Sequence, residues 1–396
     1  MNIIFDSQIY PDTLVADYAK NSKVILDYAA HNLCKAIYIG IKQNSEDIRL
    51  INAPNIGSFP FLYRTPRVSG CKLEDGVSIP FWNISFLKRG EIRKKMAIEI
   101  KKELARLRDD QDVCLLLYNF RCLPLIKELK EKYPKLKVAM VVTDLPEFML
   151  KPNNGILGLG SKVISPSKSS YEGIEEVNGF ILLAPAMREK LPNEGKPWIQ
   201  IEGIYNSDTL IEKQIKEDNK TILYTGNLGL RYGIGELLEA FHQIESPDYR
   251  LWICGGGDGL EEVKRYSSMD SRIEYKGILP RYEVLRMQKK ATALINPRNS
   301  ADEYTRYSFP SKTMEYLASG TPVIMSHLKS IPKEYDEHIY YVDDESIDGF
   351  KNKIIEICSK PADELRAFGE SASQFIFENK TPEPQMKKVI NFINTI

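Results

Sequence analysis

A chain of 396 residues exceeds what a single hydrophobic core serves and points to two domains. Its composition, 43% hydrophobic and 27% charged, is that of a globular protein, and a formal net charge of zero removes any global field for nucleic acid or an anionic surface. The charge is unevenly spread, with 29 basic against 24 acidic groups in residues 1–205, which leaves 25 against 30 in the remainder.

The opening stretch, MNIIFDSQIYPD, holds acids and no basic leader, so no secretory signal is expected there. The longest apolar runs, such as VCLLLYNF, fall far short of the ~20 residues a membrane-spanning helix needs, and the expected location is cytoplasmic. Six cysteines form no Cys-x-x-Cys pair, and Cys114 and Cys254 lie in apolar strand-like runs, the pattern of buried free thiols. AIYIGI (36–41) reads as the first strand. FPFLYR (59–64) and the stretch 80–108 then set aromatics beside a basic helix whose apolar stripe is Ile92, Met96, Ile100, Leu104 and Leu107. Peripheral membrane contact through 80–108 fits this pattern, and so does a core-facing stripe with a solvated basic face. DQD (110–112) mimics a metal-binding Asp-x-Asp but precedes its strand, at the wrong end of the sheet for a site. The four histidines lack ligand spacing, so no metal is called for.

VCLLLYNF (113–120), KVAMVV (137–142), KVIS (162–165) and GFILLA (179–184) read as further strands, with PLIKELKEKY (124–133) as a helix. The polar stretch 201–220 precedes a fresh set: TILYTG, RLWICGGG, RIEYKG, TALINP and PVIMS, with helices such as GIGELLEAFHQI and RYEVLRMQKKA between them. Such alternation implies parallel sheets covered by helices, hence an α/β chain of two doubly wound domains with ligands at the carboxyl ends of their strands. The expected division is 1–205 and 206–396, and the amphipathic tail 384–396 can pack on either.

Three stretches of the second half carry candidate chemistry. In ILYTGNLGLRYGIGELLEAF (222–241) a strand runs into a loop with Gly226, Gly229 and Arg231 before a helix, which suits close approach of a phosphate. A tight turn with a solvated arginine has the same sequence. In RLWICGGGDGLEEV (250–263) Gly255 to Gly259 miss the G-x-G-x-x-G spacing of dinucleotide sites, and a turn that packs strand on helix accounts for them equally. In SFPSKTMEYLASGTPVI (308–324) Phe309 and Pro310 set a turn, and Ser308 or Ser311 is expected to cap the helix. Its first turn offers a cradle for a diphosphate with Lys312 as a neutralising cation. Glu315, a turn further on, can accept two hydrogen bonds from ribose hydroxyls; its other reading is a carboxylate favoured by the helix dipole.

The order Tyr-x-Gly, Gly-Gly-Gly, Tyr-Lys-Gly, Asn-Pro-Arg (ending at Arg298) and FPSKTMEYLASGTPVI resembles family-four glycosyltransferases of GT-B fold, nearest to bacterial members that build surface polysaccharides. The resemblance covers about 220–330. It implies two Rossmann-like domains facing across a cleft, an acceptor-side domain 1–205 and a nucleotide-sugar donor domain 206–396. It assigns Glu315 to ribose, Ser308 to Lys312 to phosphate, the loop of Gly226 and Asn227 to the pyrophosphate, and Gly277 and Ile278 to the base, with Gly255, Gly257 and Arg298 also among the donor-binding residues. The sequence departs from the pattern in three places. Tyr307 stands where the family has its first glutamate, leaving Glu303 four residues earlier. Asn227 and Tyr232 stand near the usual Arg and Lys, with Arg231 the nearest substitute. No histidine lies between His31 and His242, and the corresponding place holds Asp144 and Glu147, an ordinary turn start as well as a catalytic one. The resemblance thus implies a metal-independent, retaining transferase with no cofactor. Its donor is a nucleotide sugar and its acceptor a glycan or polyprenyl-linked sugar. Arg231 and Lys312 would steady the leaving phosphate, and Asp144 or Glu303 would orient sugar hydroxyls. A non-catalytic nucleotide-sugar-binding subunit and a nucleotide-sugar epimerase are the alternatives.

Overall fold

The computed structural model describes residues 1–45, 47–108, 110–146, 171–192, 195–206, 211–212 and 214–396. The chain forms two units, Met1–Asn206 with Thr381–Ile396, and Ser207–Lys380.

In the first unit the strands are β1 (Asn2–Ser7), β2 (Asp47–Asn52), β3 (Arg67–Val68), β4 (Cys71–Leu73), β5 (Gly76–Ser78), β6 (Phe81–Trp82), β7 (Val113–Tyr118), β8 (Lys137–Val142), β9 (Gly179–Leu182) and β10 (Trp198–Gln200). Eight of them form one sheet in the order β10-β9-β8-β7-β1-β2-β5-β4, all neighbours parallel except β4 and β5. Every residue of β7 is buried, as a central parallel strand covered on both faces requires. The order reverses between β1 and β7, so the loops leaving those strands, and β8 beside them, border the crevice where ligands bind in such sheets.

AIYIGI is helix, not strand. It lies within Tyr28–Gln43, capped by Asp27, whose carboxylate accepts from the amides of Ala29 and Ala30. The buried Cys34, Ile37 and Ile41 recur at three- and four-residue spacing, a helical face that a six-residue apolar window cannot distinguish from a strand. The terminal segment, expected within 206–396 though free to pack elsewhere, forms the helix Pro382–Thr395 and packs on this one. A Cβ at Gly40 would lie 2.2 Å from the Pro382 carbonyl oxygen, so only glycine admits the crossing.

The helix Ser85–Leu104 decides between the two readings of its stripe in favour of the core. Ile92, Met96, Ile100 and Leu104 are buried, so the stripe is core and offers nothing to a membrane. Its basic face is largely matched by the protein itself: Lys95 pairs with Glu91 at 2.8 Å, Lys102 with Glu99 at 2.7 Å, and Lys101 with Glu128. Asp110 to Asp112 precede β7, with the Asp112 carbonyl bound by the Asn2 amide at 2.9 Å. KVIS lies outside the described residues.

The second unit contains β11 (Lys220–Asn227), β12 (Tyr249–Gly256), β13 (Ile273–Gly277), β14 (Ala293–Asn296), β15 (Val323–Ser326) and β16 (Tyr340–Val342) in the wholly parallel order β13-β12-β11-β14-β15-β16. Taken in chain order this is 3-2-1-4-5-6, the doubly wound dinucleotide-fold order, and its direction reverses between β11 and β14.

Candidate functional site

Four of the sequence-derived candidates converge at that reversal. β11 ends on Gly226 and Asn227, β14 ends on Asn296 with Arg298 two residues on, and Lys312 opens the helix Lys312–Ala318. Gly226 has φ +121°, and a Cβ there would meet the Lys312 ammonium at 3.2 Å. Gly255 is stricter still, with φ +131° and its would-be Cβ 1.8 Å from the Gly226 carbonyl oxygen. The two glycine loops are then tied together. The Leu228 amide donates to the Gly256 carbonyl (3.0 Å), the Gly259 amide to the Leu228 carbonyl (2.8 Å), and the Leu230 amide to the Asp258 carboxylate (3.0 Å). Gly257 packs within this lock, under the Leu228 backbone.

Three cations line the loop. The Lys312 ammonium sits 4.0 Å from the Tyr224 ring centre. Burial and the nearby Arg298 guanidinium push it down to about 7, against an upward pull from Glu315. Arg298 stacks over Tyr232 at 4.8 Å, and its Nε and Nη1 are buried without a hydrogen-bond partner. Arg231 lies between the rings of Tyr232 (4.7 Å) and Tyr304 (4.9 Å). Its Nη2 donates to the Tyr232 hydroxyl at 2.7 Å, and the Tyr304 hydroxyl donates to its carbonyl at 3.1 Å. None of the three forms an ion pair with any described residue. At the ends of β14 and β15, Asn296 and Ser326 add buried side-chain atoms that lack partners. An unmatched buried donor costs about 1–3 kcal/mol, so this arrangement is one that an anion with several oxygens would relieve.

Glu315 stands three residues beyond Lys312, on the same side of the helix. Its Oε1 accepts from Gln288 Nε2 at 2.8 Å, and its Oε2 lies 3.6 Å from Arg281 Nη2. The helix itself is pinned by Tyr316, whose buried hydroxyl accepts from the Thr225 amide at 2.8 Å and donates to the Thr225 carbonyl at 3.2 Å. The expected serine caps are absent. Neither Ser311, which is exposed and already helical in backbone, nor Ser308 makes a side-chain capping bond. Ser308 instead closes a 3-10 turn, Glu303–Tyr307, and its carbonyl accepts from the Ser330 hydroxyl at 3.1 Å. Phe309 and Pro310 are buried, with Phe309 against Tyr335, so they fix the turn as supports. Glu303 opens the 3-10 turn and is exposed; the residue beside it, Tyr304, is the one that reaches Arg231. Gly277 ends β13 at φ +82°, and Ile278 is 79% exposed with its side chain over Gly256.

Asp144 belongs to the first unit, just past β8. Asp144 is exposed at the surface, yet the protein on its inner side raises its carboxyl above the ordinary range, Asp27 acts the same way, and Thr143 opposes them. Asn119, at the end of β7, accepts from the Thr143 amide at 2.9 Å and braces this corner. His31, which sequence reasoning passed over, accepts from the Tyr10 amide through Nδ1 at 3.0 Å and stacks on Tyr10. Burial and Lys35 lower it and so keep the ring neutral near pH 7, against an upward pull from Asp12. Glu147 lies outside the described residues.

Sequence reasoning also missed the aromatic seats, Tyr224, Tyr232 and Tyr304, and the Glu315 partners Arg281 and Gln288. The last two were findable, because a seven-residue spacing puts both on one face of their helix.

Residues 207–375 match the family of glycosyl transferases group 1. That segment is nearly the whole of the second unit and contains Lys312, Arg298 and Arg231. No curated protein sequence matches the chain. Among solved structures, the sucrose-phosphate synthase of Thermosynechococcus elongatus superposes with a TM-score of 0.62 at 14% identity, over 100% of this chain and 99% of that one. A trehalose-6-phosphate protein from E. coli bound with UDP-2-fluoro glucose gives 0.64 at 10% identity, over 100% and 99%. S. aureus TarM, in complex with Fondaparinux, alpha-GlcNAc-glycerol and UDP, gives 0.52 at 14%, over 80% and 60%. At such identities the likeness shows the fold, which is GT-B.

Proposed function

We propose that this protein is a glycosyltransferase that takes its sugar from a nucleotide diphosphate sugar. The observation that carries the reading is the set of three cations without counter-ions, Lys312, Arg298 and Arg231, at the strand-order reversal of the group 1 segment. A diphosphate supplies the missing charge and acceptors there. Glu315, held by Gln288 and Arg281 one turn away, takes the ribose hydroxyls, and exposed Ile278 flanks the base. In the reaction the bond from the anomeric carbon to the phosphate oxygen breaks and a bond to an acceptor hydroxyl oxygen forms. The departing phosphate receives the acceptor proton. Lys312, Arg298 and Arg231 stabilise the charge that grows on it, so no metal is needed for that task. We assign net retention, a glycan or polyprenyl-linked acceptor, and a place in bacterial polysaccharide assembly on the sequence resemblance alone. Asp144 and Glu303 are the candidates for orienting sugar hydroxyls.

Tyr307, buried where an acid would stand, favours one other reading: a subunit that binds a nucleotide sugar without turning it over. Thermal shift and nucleotide release against UDP-, GDP-, ADP-, CMP- and TDP-sugars separate the two. UDP-sugars come first because two of the structural neighbours hold UDP groups. Stabilisation with diphosphate release establishes transfer, slowly onto water when the acceptor is missing. Stabilisation without release, acceptors included, favours the binder; sugar isomerised with no acceptor present identifies an epimerase. No stabilisation by any donor overturns the site.

A further inference from the structure

We propose that the first unit carries a docking surface for an anionic lipid bilayer, built from segments 20–28, 58–67 and 81–90. The three are fastened to one another by backbone bonds. The Lys23 amide donates to the Leu62 carbonyl (3.0 Å) and the Arg64 amide to the Asn21 carbonyl (2.9 Å). On the other side the Phe59 amide donates to the Asn83 carbonyl (2.8 Å) and the Asn83 amide to the Pro66 carbonyl (2.8 Å). Large apolar side chains stand outward from this pinned backbone: Ile25 is 94% exposed, Phe86 84% and Phe61 71%, with Val24, Leu62, Trp82 and Leu87 also exposed. Of the sixteen large apolar side chains exposed among the described residues, eight lie on these segments, Tyr28 among them, so the exposure is a patch rather than scatter.

Charge selects the occupant. The three segments hold six basic residues (Lys20, Lys23, Arg64, Arg67, Lys88 and Arg89) against one acid, Asp27, in a chain whose net charge is zero; the Lys88 ammonium is turned inward to donate to the Ile56 carbonyl, which leaves five for a headgroup layer. Arg67 lies 6.0 Å over the Trp82 ring, an indole with a cation beside it as at a lipid headgroup boundary. Glu91, next along the helix, is engaged by the Trp82 amide (2.7 Å) and by Lys95 (2.8 Å). Apolar tips ringed by cations on a rigid base match the interface of a bilayer containing anionic lipid, which takes up apolar side chains and attracts basic ones together. No described helix is long and apolar enough to cross a membrane, so the contact is with one face. The proposal replaces contact through the face of the helix Ser85–Leu104, whose apolar stripe is buried, and it does not depend on the glycosyltransferase reading.

The test is co-sedimentation of the full chain with vesicles of phosphatidylcholine alone and of phosphatidylcholine containing about one third phosphatidylglycerol. Binding to the anionic vesicles is expected, weakening at about 0.5 M salt, with a blue shift in emission that Trp82→Phe removes. The combined Ile25→Asp, Phe61→Asp, Phe86→Asp variant should bind at least about tenfold more weakly. Ile215→Asp, Met269→Asp, Ile355→Asp adds the same charge at exposed sites on the second unit and should bind as the parent does. Failure to bind anionic vesicles, or equal loss in both triple variants, overturns the proposal. A dimer in size-exclusion chromatography that only the patch variant dissociates, without vesicle binding, assigns the surface to a second copy instead.

Discussion

An ammonium held without a counter-ion near a guanidinium group costs free energy in the unliganded protein, and Lys312 is in that position, with Arg298 nearby. Its proton affinity falls to about 7 from 10.5, so the penalty is full below pH 7 and fades as pH rises towards 10.5, where the unfolded chain also loses the proton. Lys312→Met should therefore raise the melting temperature of the free protein at pH 6, by about 2–4 °C per kcal/mol recovered, with a smaller gain at pH 9. The same variant should bind a nucleotide sugar at least about tenfold more weakly. In the parent protein, affinity should be greatest below pH 7 and fall above it. A nucleotide sugar's diphosphate diester does not titrate near neutrality, so the Lys312→Met profile should be flat. Calorimetric titration across that range checks the sign. For Glu315→Ala, loss of hydrogen bonds to a charged group predicts about 1.5–3 kcal/mol, tenfold or more in the dissociation constant. Unchanged affinity would remove the ribose assignment.

At the scale of elements, the site depends on one seven-residue helix fastened to one strand. Lys312 and Tyr316 are four apart and share a face, so the hydroxyl that holds the helix to Thr225 also sets where the ammonium lies over Tyr224. Tyr316→Phe leaves the Thr225 amide buried and unmatched. Urea denaturation should show a loss of about 1–3 kcal/mol, accompanied by weaker donor binding. Gly255→Ala meets both a positive φ and a carbonyl oxygen at 1.8 Å, and should disrupt the glycine lock or prevent folding of the second unit. Normal stability in that variant would mean that the two loops part more readily than their hydrogen bonds imply.

For the whole molecule, the chain crosses to the second unit once and returns at Thr381 to finish on the first. The final helix buries Met386, Val389, Ile390, Phe392 and Ile393 there. At about 1.5–3 kcal/mol for each large apolar side chain, these five together rival the 5–15 kcal/mol that holds a typical domain folded. Deleting 381–396 should abolish or sharply lower the first unit's thermal transition, while the second unit, which contributes nothing to that core, keeps its own. A single unchanged transition in calorimetry would contradict this division.

Short-range signals were legible from the sequence alone. Glycines at 226 and 255, the Phe309-Pro310 turn, the helix around Glu315 and the continuous apolar runs of β7, β11 and β14 each depend on a window of a few residues, within which backbone sterics and burial on both faces fix the local conformation, though not what the loops and Glu315 hold. Where a window admitted two readings, only packing decided between them. AIYIGI became helix because its apolar face meets the sheet at helical spacing, and the stripe on Ser85–Leu104 turned inward, leaving the exposed tips of three separate segments together. Tyr232, Tyr304, Gln288 and Arg281 gained roles only through neighbours up to 73 positions away in sequence. The sequence by itself determined two parallel α/β units and the glycine loops and short helix at the strand ends of the second. The tertiary structure decided which cations meet there unpaired, because strand order brings the ends of β11 and β14 together, and that pairing is a property of the whole sheet rather than of any stretch within it.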